Sequence, residues 1–156
     1  MSALRNNKMS ENQFMTFYVG KDLFGIEVIN VQEVTGHLPV ETVPLAPNFV
    51  KGLINLRGQI ATALDIREMF ELKAADQNVK PVSVVCNLDG NLVSLLVDSL
   101  GDVIESMPED EESVPETVPS GVKKYLRKVS KRDEELLSII DLEKLNNELS
   151  LNLENK

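Results

Sequence analysis

The chain has 156 residues and a formal net charge of −9, enough length for one domain with a sizeable core. Such a charge repels phosphate backbones and anionic bilayers, which sets nucleic acid and membrane surfaces aside as partners. A single cysteine, Cys86, rules out an internal disulfide and fits a reducing compartment. Arg5 and Lys8 are followed by no apolar h-region, and no apolar run approaches the ~20 residues that span a bilayer, so a cytoplasmic protein without membrane insertion is expected.

Residues 1–12 are polar and patternless and read as a flexible tail, ahead of a single domain over 13–150 and a loose end over 151–156. From Gln13 the pattern is that of a strand apolar on both faces, with Phe14, Thr16 and Tyr18 alternating with Met15, Phe17 and Val19. Gly20-Lys21-Asp22 turns the chain into Leu23 to Val28. Val28, Val31 and Val34 suggest a helical turn running into a short strand, and Val40 and Val43 frame another. Pro44 and Pro47 bracket a turn, with Pro47 suited to open a short helix.

Gly52 to Asp65 reads as a hairpin with Arg57-Gly58 at its tip, followed by a short helix capped by Asp65 and buried through Ile66, Met69 and Phe70. After a polar loop over 73–78, Val82 to Leu88 and Leu92 to Val97 flank Asp89-Gly90, a strong hairpin signal because both turn residues need positive φ. Val103 to Val118 reads as extended segments broken by prolines. Tyr125 to Val129 and Glu135 to Ile140 form a further strand pair, and a helix capped by Asp141 closes the chain on Leu142, Leu145 and Leu149. Many short strands with few helices make this an all-β fold of the barrel or sandwich kind.

Chemistry is sparse. His37, the one histidine, has no Cys or second His at metal-ligand spacing and no nucleophile to serve, so it reads as a loop residue and no metal or cofactor is expected. Cys86 sits in a valine-rich strand and reads as an inert buried thiol. The acidic stretch from Asp102 to Glu116 precedes a basic one from Lys123 to Arg132. The two read as solvated faces that partly neutralise each other, against the alternative of a carboxylate pair for hydrolysis. Phosphate-cradling glycine loops are missing. Arg57 is either a solvated turn residue or a planar donor for a partner's carboxylate or carbonyl, and Glu33 either an outward strand residue or a charge beside an apolar groove.

Several blocks resemble one family. Phe17-Tyr18-Val19-Gly20 with Phe24-Gly25-Ile26, Val31-Gln32-Glu33-Val34, Pro47 through Gly58, Leu64-Asp65-Ile66-Arg67, Val97 to Ile104 and Ile139 to Leu145 are similar to those of CheW chemotaxis coupling proteins, in the family's order. The resemblance implies two intertwined five-stranded SH3-like β-barrel subdomains sharing a hydrophobic core. It also implies a non-enzymatic adaptor between methyl-accepting chemoreceptors and the histidine kinase CheA, in a flagellar, pilus or other pathway. By matching position it implicates Val28, Val31, Glu33, Lys51, Gly52, Asn55, Arg57 and Gly58 in holding the receptor's cytoplasmic hairpin tip. Val40 and Thr42 would face the kinase's own CheW-like domain. Neither a receiver nor a kinase domain accompanies these blocks, so a stand-alone adaptor at receptor arrays is expected. Two departures stand out: Ala61-Thr62-Ala63 where the family carries a bulkier apolar residue and a proline, and a charged stretch over 128–135 in place of a glycine-rich turn.

Overall fold

The computed structural model describes residues 12–73, 78 and 80–154, without side chains beyond Leu151. Among them the strands are β1 (Gln13–Val19), β2 (Asp22–Glu27), β3 (Val31–Thr35), β4 (Val50–Leu56), β5 (Gln59–Asp65), β6 (Val82–Leu88), β7 (Asn91–Val97), β8 (Ser99–Glu105), β9 (Glu111–Glu112), β10 (Leu126–Arg132) and β11 (Glu135–Ile140). Three helices, α1 (Ile66–Met69), α2 (Ser120–Lys123) and α3 (Leu142–Glu154), and two single 3-10 turns, Val28–Asn30 and Pro108–Asp110, complete the described chain.

The strands form two sheets, ordered β8-β1-β2-β11-β10-β9 and β3-β6-β7-β5-β4. The second is contiguous in sequence. The first is built from both flanks of the chain and joined by the parallel pairing of β2 with β11. The all-β class with short helices and a closing helix agrees with the sequence. The first sheet has six strands where five were expected, the extra one being the two-residue β9.

The two-sided apolar pattern of β1 has a direct cause. Phe14 points into a small cluster with Leu23, Leu137 and Ile139, whereas Phe17 and Val19 enter a larger core shared by both sheets. Strand alternation makes the split: Met15 packs on the larger core with Phe17 and Val19, and Tyr18 on the small cluster with Phe14. The shared core takes Phe24 and Ile26 from β2, Leu64 from β5, Val84 and Cys86 from β6, Val93, Leu95 and Val97 from β7, and Leu142, Leu145 and Leu149 from α3. A row of rings runs through it: Phe17–Phe24, Phe24–Phe70 and Phe70–Tyr125, with centroids 6.1, 5.2 and 5.5 Å apart.

Local rules fix the joints. The Asp65 carboxylate accepts from the N–H groups of Arg67 (3.0 Å) and Glu68 (3.3 Å), starting α1. Asp141 does the same for Glu143 and Lys144 at the start of α3, which runs on to Glu154, past the boundary expected at residue 150. Other expectations shift. Val40 to Val43 makes only a bridge at Glu41 opposite Leu53, since Pro39 and Pro44 bring no N–H to a ladder. Pro47 opens a turn closed by the Val50 N–H at 2.9 Å, not a helix. β8 begins at Ser99, ahead of Val103, and β10 runs through to Arg132. The 1–12 tail, save Asn12, and most of the 73–78 loop lie outside the described residues.

Three of the blocks that resemble the CheW family meet where the sheets cross. Arg67 on α1 donates through Nε (3.3 Å) and Nη2 to the carboxylate of Asp98, between β7 and β8. The same carboxylate accepts the Gly20 N–H of the β1–β2 turn at 2.6 Å. Both charged side chains are mostly shielded from solvent, so removing one strands the other. Asp98→Ala is expected to lower unfolding stability by about 2–3 kcal/mol, read from urea denaturation.

Candidate functional site

The tip of β4–β5 is a two-residue turn. Arg57 and Gly58 have φ of 54° and 88°, and the Gly58 N–H donates to Asn55 Oδ1 at 3.0 Å. The β6–β7 tip repeats the device with Asp89 and Gly90 (φ 52° and 91°), and Asn87 Oδ1 accepting at 2.8 Å. Asn55 therefore spends its carbonyl oxygen on shaping the turn.

The second sheet curls until its outer strand β3 meets that tip. Gln32 Nε2 donates to Gln59 Oε1 at 3.4 Å, and Arg57 Nη2 lies 3.5 Å from Glu33 Oε2. Arg57 remains 82% exposed while Glu33 is 20% exposed, so the pair leaves most of the guanidinium free for a further acceptor. Val28, in the 3-10 turn, and Val31, which packs on the shared core, are half-buried on the same side. Two exposed isoleucines extend this end of the barrel: Ile29 (59%) between Val28 and Asn30, and Ile60 (57%) paired across the hairpin with Asn55. Periodicity could not single them out, since Ile29 lies in a three-residue turn beside half-buried Val28 and Ile60 adjoins buried Ala61 in an otherwise apolar strand.

Lys51 and Gly52 lie elsewhere. β4 carries them toward the other end of the barrel, about 20 Å from Arg57 at ~3.3 Å per residue. There they join Val40 and Thr42. Gly52 (φ 151°) is pressed by the Glu41–Leu53 bridge: a Cβ would run into the Glu41 carbonyl and sit 2.8 Å from Val40 Cγ1. Lys51 Nζ is 3.6 Å from Asp65 Oδ2. Lys51, Val40 and Thr42 line an apolar hollow of about 210 Å³ with His37, Leu38 and Leu96. Ala61 and Ala63 are fully buried opposite Ile54 and Gly52, small residues inside a tightly curled sheet.

The acidic and basic stretches pair as solvated faces. Arg127 bridges Glu27 (2.8 Å) and Glu111 (3.4 Å), and Lys131 lies 3.6 Å from Glu112. Asp102, Glu105 and Glu109 face solvent. A polar cleft of about 510 Å³ lined by Glu27, Asp89, Arg127 and Asp141 uses its arginine in those pairs and its Asp141 as a helix cap. Among the described residues no group of three or more His, Cys, Asp or Glu side chains could hold a metal ion, and no helix is long and apolar enough to cross a membrane. Burial pushes the Cys86 thiol up to about 12.

Comparison with known proteins places this geometry. The family model described as CheW-like domain matches residues 13–150. The chemotaxis protein CheW of Klebsiella aerogenes is 31% identical over 133 residues, covering 85% of this chain and 80% of that protein. A probable chemotaxis protein CheW of Rhizobium etli is 26% identical over 143 residues, 92% of each chain. The crystal structure of the scaffolding protein TtCheW from Thermoanaerobacter tengcongensis superposes with a TM-score of 0.75 at 24% identity, covering 84% of this chain and 89% of that one.

Two outcomes are expected. Gly52→Ala unfolds at lower urea, losing about 3 kcal/mol because strain and overpacking add, whereas Gly58→Ala, whose Cβ meets nothing, loses about 1 kcal/mol. The folded Cys86 value lies above the ~8.5 of an unfolded thiol, so its stabilisation is complete below about pH 8.5 and fades toward pH 12. At pH 8 a thiol reagent should therefore label Cys86 in guanidinium and leave it untouched in the folded protein.

Proposed function

This chain belongs to the CheW-like domain family, and from that footing we propose that it is a non-enzymatic chemotaxis adaptor coupling methyl-accepting chemoreceptors to a CheA-type histidine kinase. The observation that carries the reading is the union of Glu33 and Arg57, distant in sequence, at one exposed barrel end beside Val28, Val31 and Ile29. A rigid guanidinium with open donors, flanked by apolar side chains and a shaped turn, suits a helical hairpin tip that offers apolar residues and a few carbonyl or carboxylate acceptors.

Receptor contact is assigned to Val28, Val31, Glu33, Asn55, Arg57 and Gly58. Kinase contact is assigned to Val40 and Thr42, and Lys51 is grouped with them because it lines the same hollow. Gly52 acts through the backbone approach it permits. Two surfaces at opposite ends of one barrel allow both partners to be held together, and through them the protein would sit on the inner face of the membrane.

A pulldown with a receptor tip fragment and with the kinase's C-terminal CheW-like domain tests this, and wild type capturing neither would defeat it. Arg57→Ala should weaken receptor-tip binding by about 1.5–3 kcal/mol, roughly ten- to a hundredfold. Its stability should change by less than about 0.5 kcal/mol, since the Arg57 side chain is mostly in water. Glu33→Ala should weaken binding as well, and the double variant by less than the sum, because each residue orients the other. Undiminished affinity in folded Arg57→Ala would remove Arg57 from the site.

A further inference from the structure

The sixth strand of the first sheet is held on by little. Between buried Ser106 and buried Gly121 the chain runs from Met107 to Ser120 without one buried side chain. The ladder that ties this segment to the sheet is the two-residue β9, with Glu111 opposite Ser130 and Glu112 opposite Val129. Two further backbone bonds close within the segment and tie it to nothing else: Asp110 N–H on the Met107 carbonyl (2.9 Å) and Val118 N–H on the Pro115 carbonyl (3.1 Å). Its apolar attachment is Val114 and Val118, both half-buried at the margin of the shared core. The ends are firmer. The Ser106 N–H donates to the Asn12 carbonyl at 2.8 Å, and the Pro119 carbonyl accepts from Val122 and Lys123 at the start of α2. A stretch with few buried contacts between two anchored ends is of the kind that opens locally, ahead of the whole fold.

Charge supplies the rest of the hold. The segment carries five acidic residues and no basic one, and it lies along β10, which carries Arg127, Lys128, Lys131 and Arg132 and no acid. Arg127 Nη2 is 3.4 Å from Glu111 Oε2, and Lys131 Nζ is 3.6 Å from Glu112 Oε2. Separating them strands no charge, because Arg127 keeps Glu27 at 2.8 Å and the Lys131 side chain is already 78% exposed. We propose that residues 107–120 form an electrostatic latch: an acidic strap that covers the basic edge of β10 and swings off it as a unit, with both sheets still folded, when its ion pairs are screened. What it covers is a strand edge bearing four cations on a chain of net charge −9. Released, that edge presents unpaired N–H and C=O groups to any extended chain, so ionic strength sets how often it is on offer. The latch belongs to the fold and does not rest on the adaptor reading.

Hydrogen exchange of the full chain, followed by mass spectrometry, tests it, with β6 and β7 as the internal reference. Partly exposed pairs each shift an opening equilibrium by up to about fivefold, so the two together are worth about tenfold. Going from about 0.01 M to about 1 M NaCl shortens the screening length from ~30 to ~3 Å. Over that range the protected amides of 107–119 and 126–132 should exchange about fivefold faster relative to β6 and β7. The double variant Glu111→Gln/Glu112→Gln should exchange there about tenfold faster than wild type at low salt and lose most of the salt dependence, with β6 and β7 unchanged. Glu109→Gln/Glu116→Gln, which removes the same charge from solvent-facing positions of the strap, should behave as wild type. Strap amides that exchange only together with β6 and β7 would make 107–120 an integral part of the fold and overturn the proposal. Wild-type exchange independent of salt overturns it as well, and so does a Glu109/Glu116 variant as fast as the Glu111/Glu112 one.

Discussion

The structure depends on one arrangement: two curled sheets that close their largest apolar faces against each other. Phe17 and Phe24 from the first sheet, Leu64, Val84 and Leu95 from the second, and Leu145 and Leu149 from α3 all enter the same core. The first sheet keeps only a small cluster of its own around Phe14 and Leu137. At roughly 25 cal/mol per Å² of apolar surface removed from water, the common interior is where stability concentrates. The polar seam of Gly20, Arg67 and Asp98 then fixes the angle at which the sheets meet. Because each barrel is held by the other, both ends of the second barrel can be given over to exposed turns without loss of rigidity.

That rigidity is what an adaptor uses. An adaptor of the kind proposed works by holding surfaces at set positions, and β4 would serve as its spacer, with the Glu33–Arg57 pair at one end and the Val40–Thr42 segment at the other. The exposed pair adds little stability. Its effect is to orient a guanidinium whose side chain would otherwise sample many rotamers. The nearby Asn55, by closing the turn, fixes the base on which that guanidinium stands.

Local signals were the legible part of the sequence. The Asp89-Gly90 turn, the Asp caps and the apolar strands read correctly because each is decided by a few neighbouring residues, as at Asp65 to Glu68, whereas the asparagines that close the two hairpin tips showed only in the structure. What escaped was set by closure of the chain on itself. Glu33 and Arg57 meet only because the sheet curls, and Lys51 parts from Arg57 only because β4 runs straight between them. The short α2 helix, with Ser120 and Gly121 in its first turn, carried no periodic pattern to announce it.

The interleaved topology also has a temporal side. The second sheet, β3 to β7, is one unbroken stretch and has all its strands by Val97. The first sheet lacks the strand beside β2 until β11 is made, since β2 pairs in parallel with it. At ribosomal rates of ~5–20 residues per second, roughly a hundred residues separate the two, so the β1–β2 hairpin waits on the order of 5–20 s with one edge open. Vectorial synthesis thus favours a sequence in which the second sheet sets first and serves as the template against which the first is completed. A nascent chain stalled before Glu135 would expose the β2 edge, the point at which chaperones or stray strands gain access.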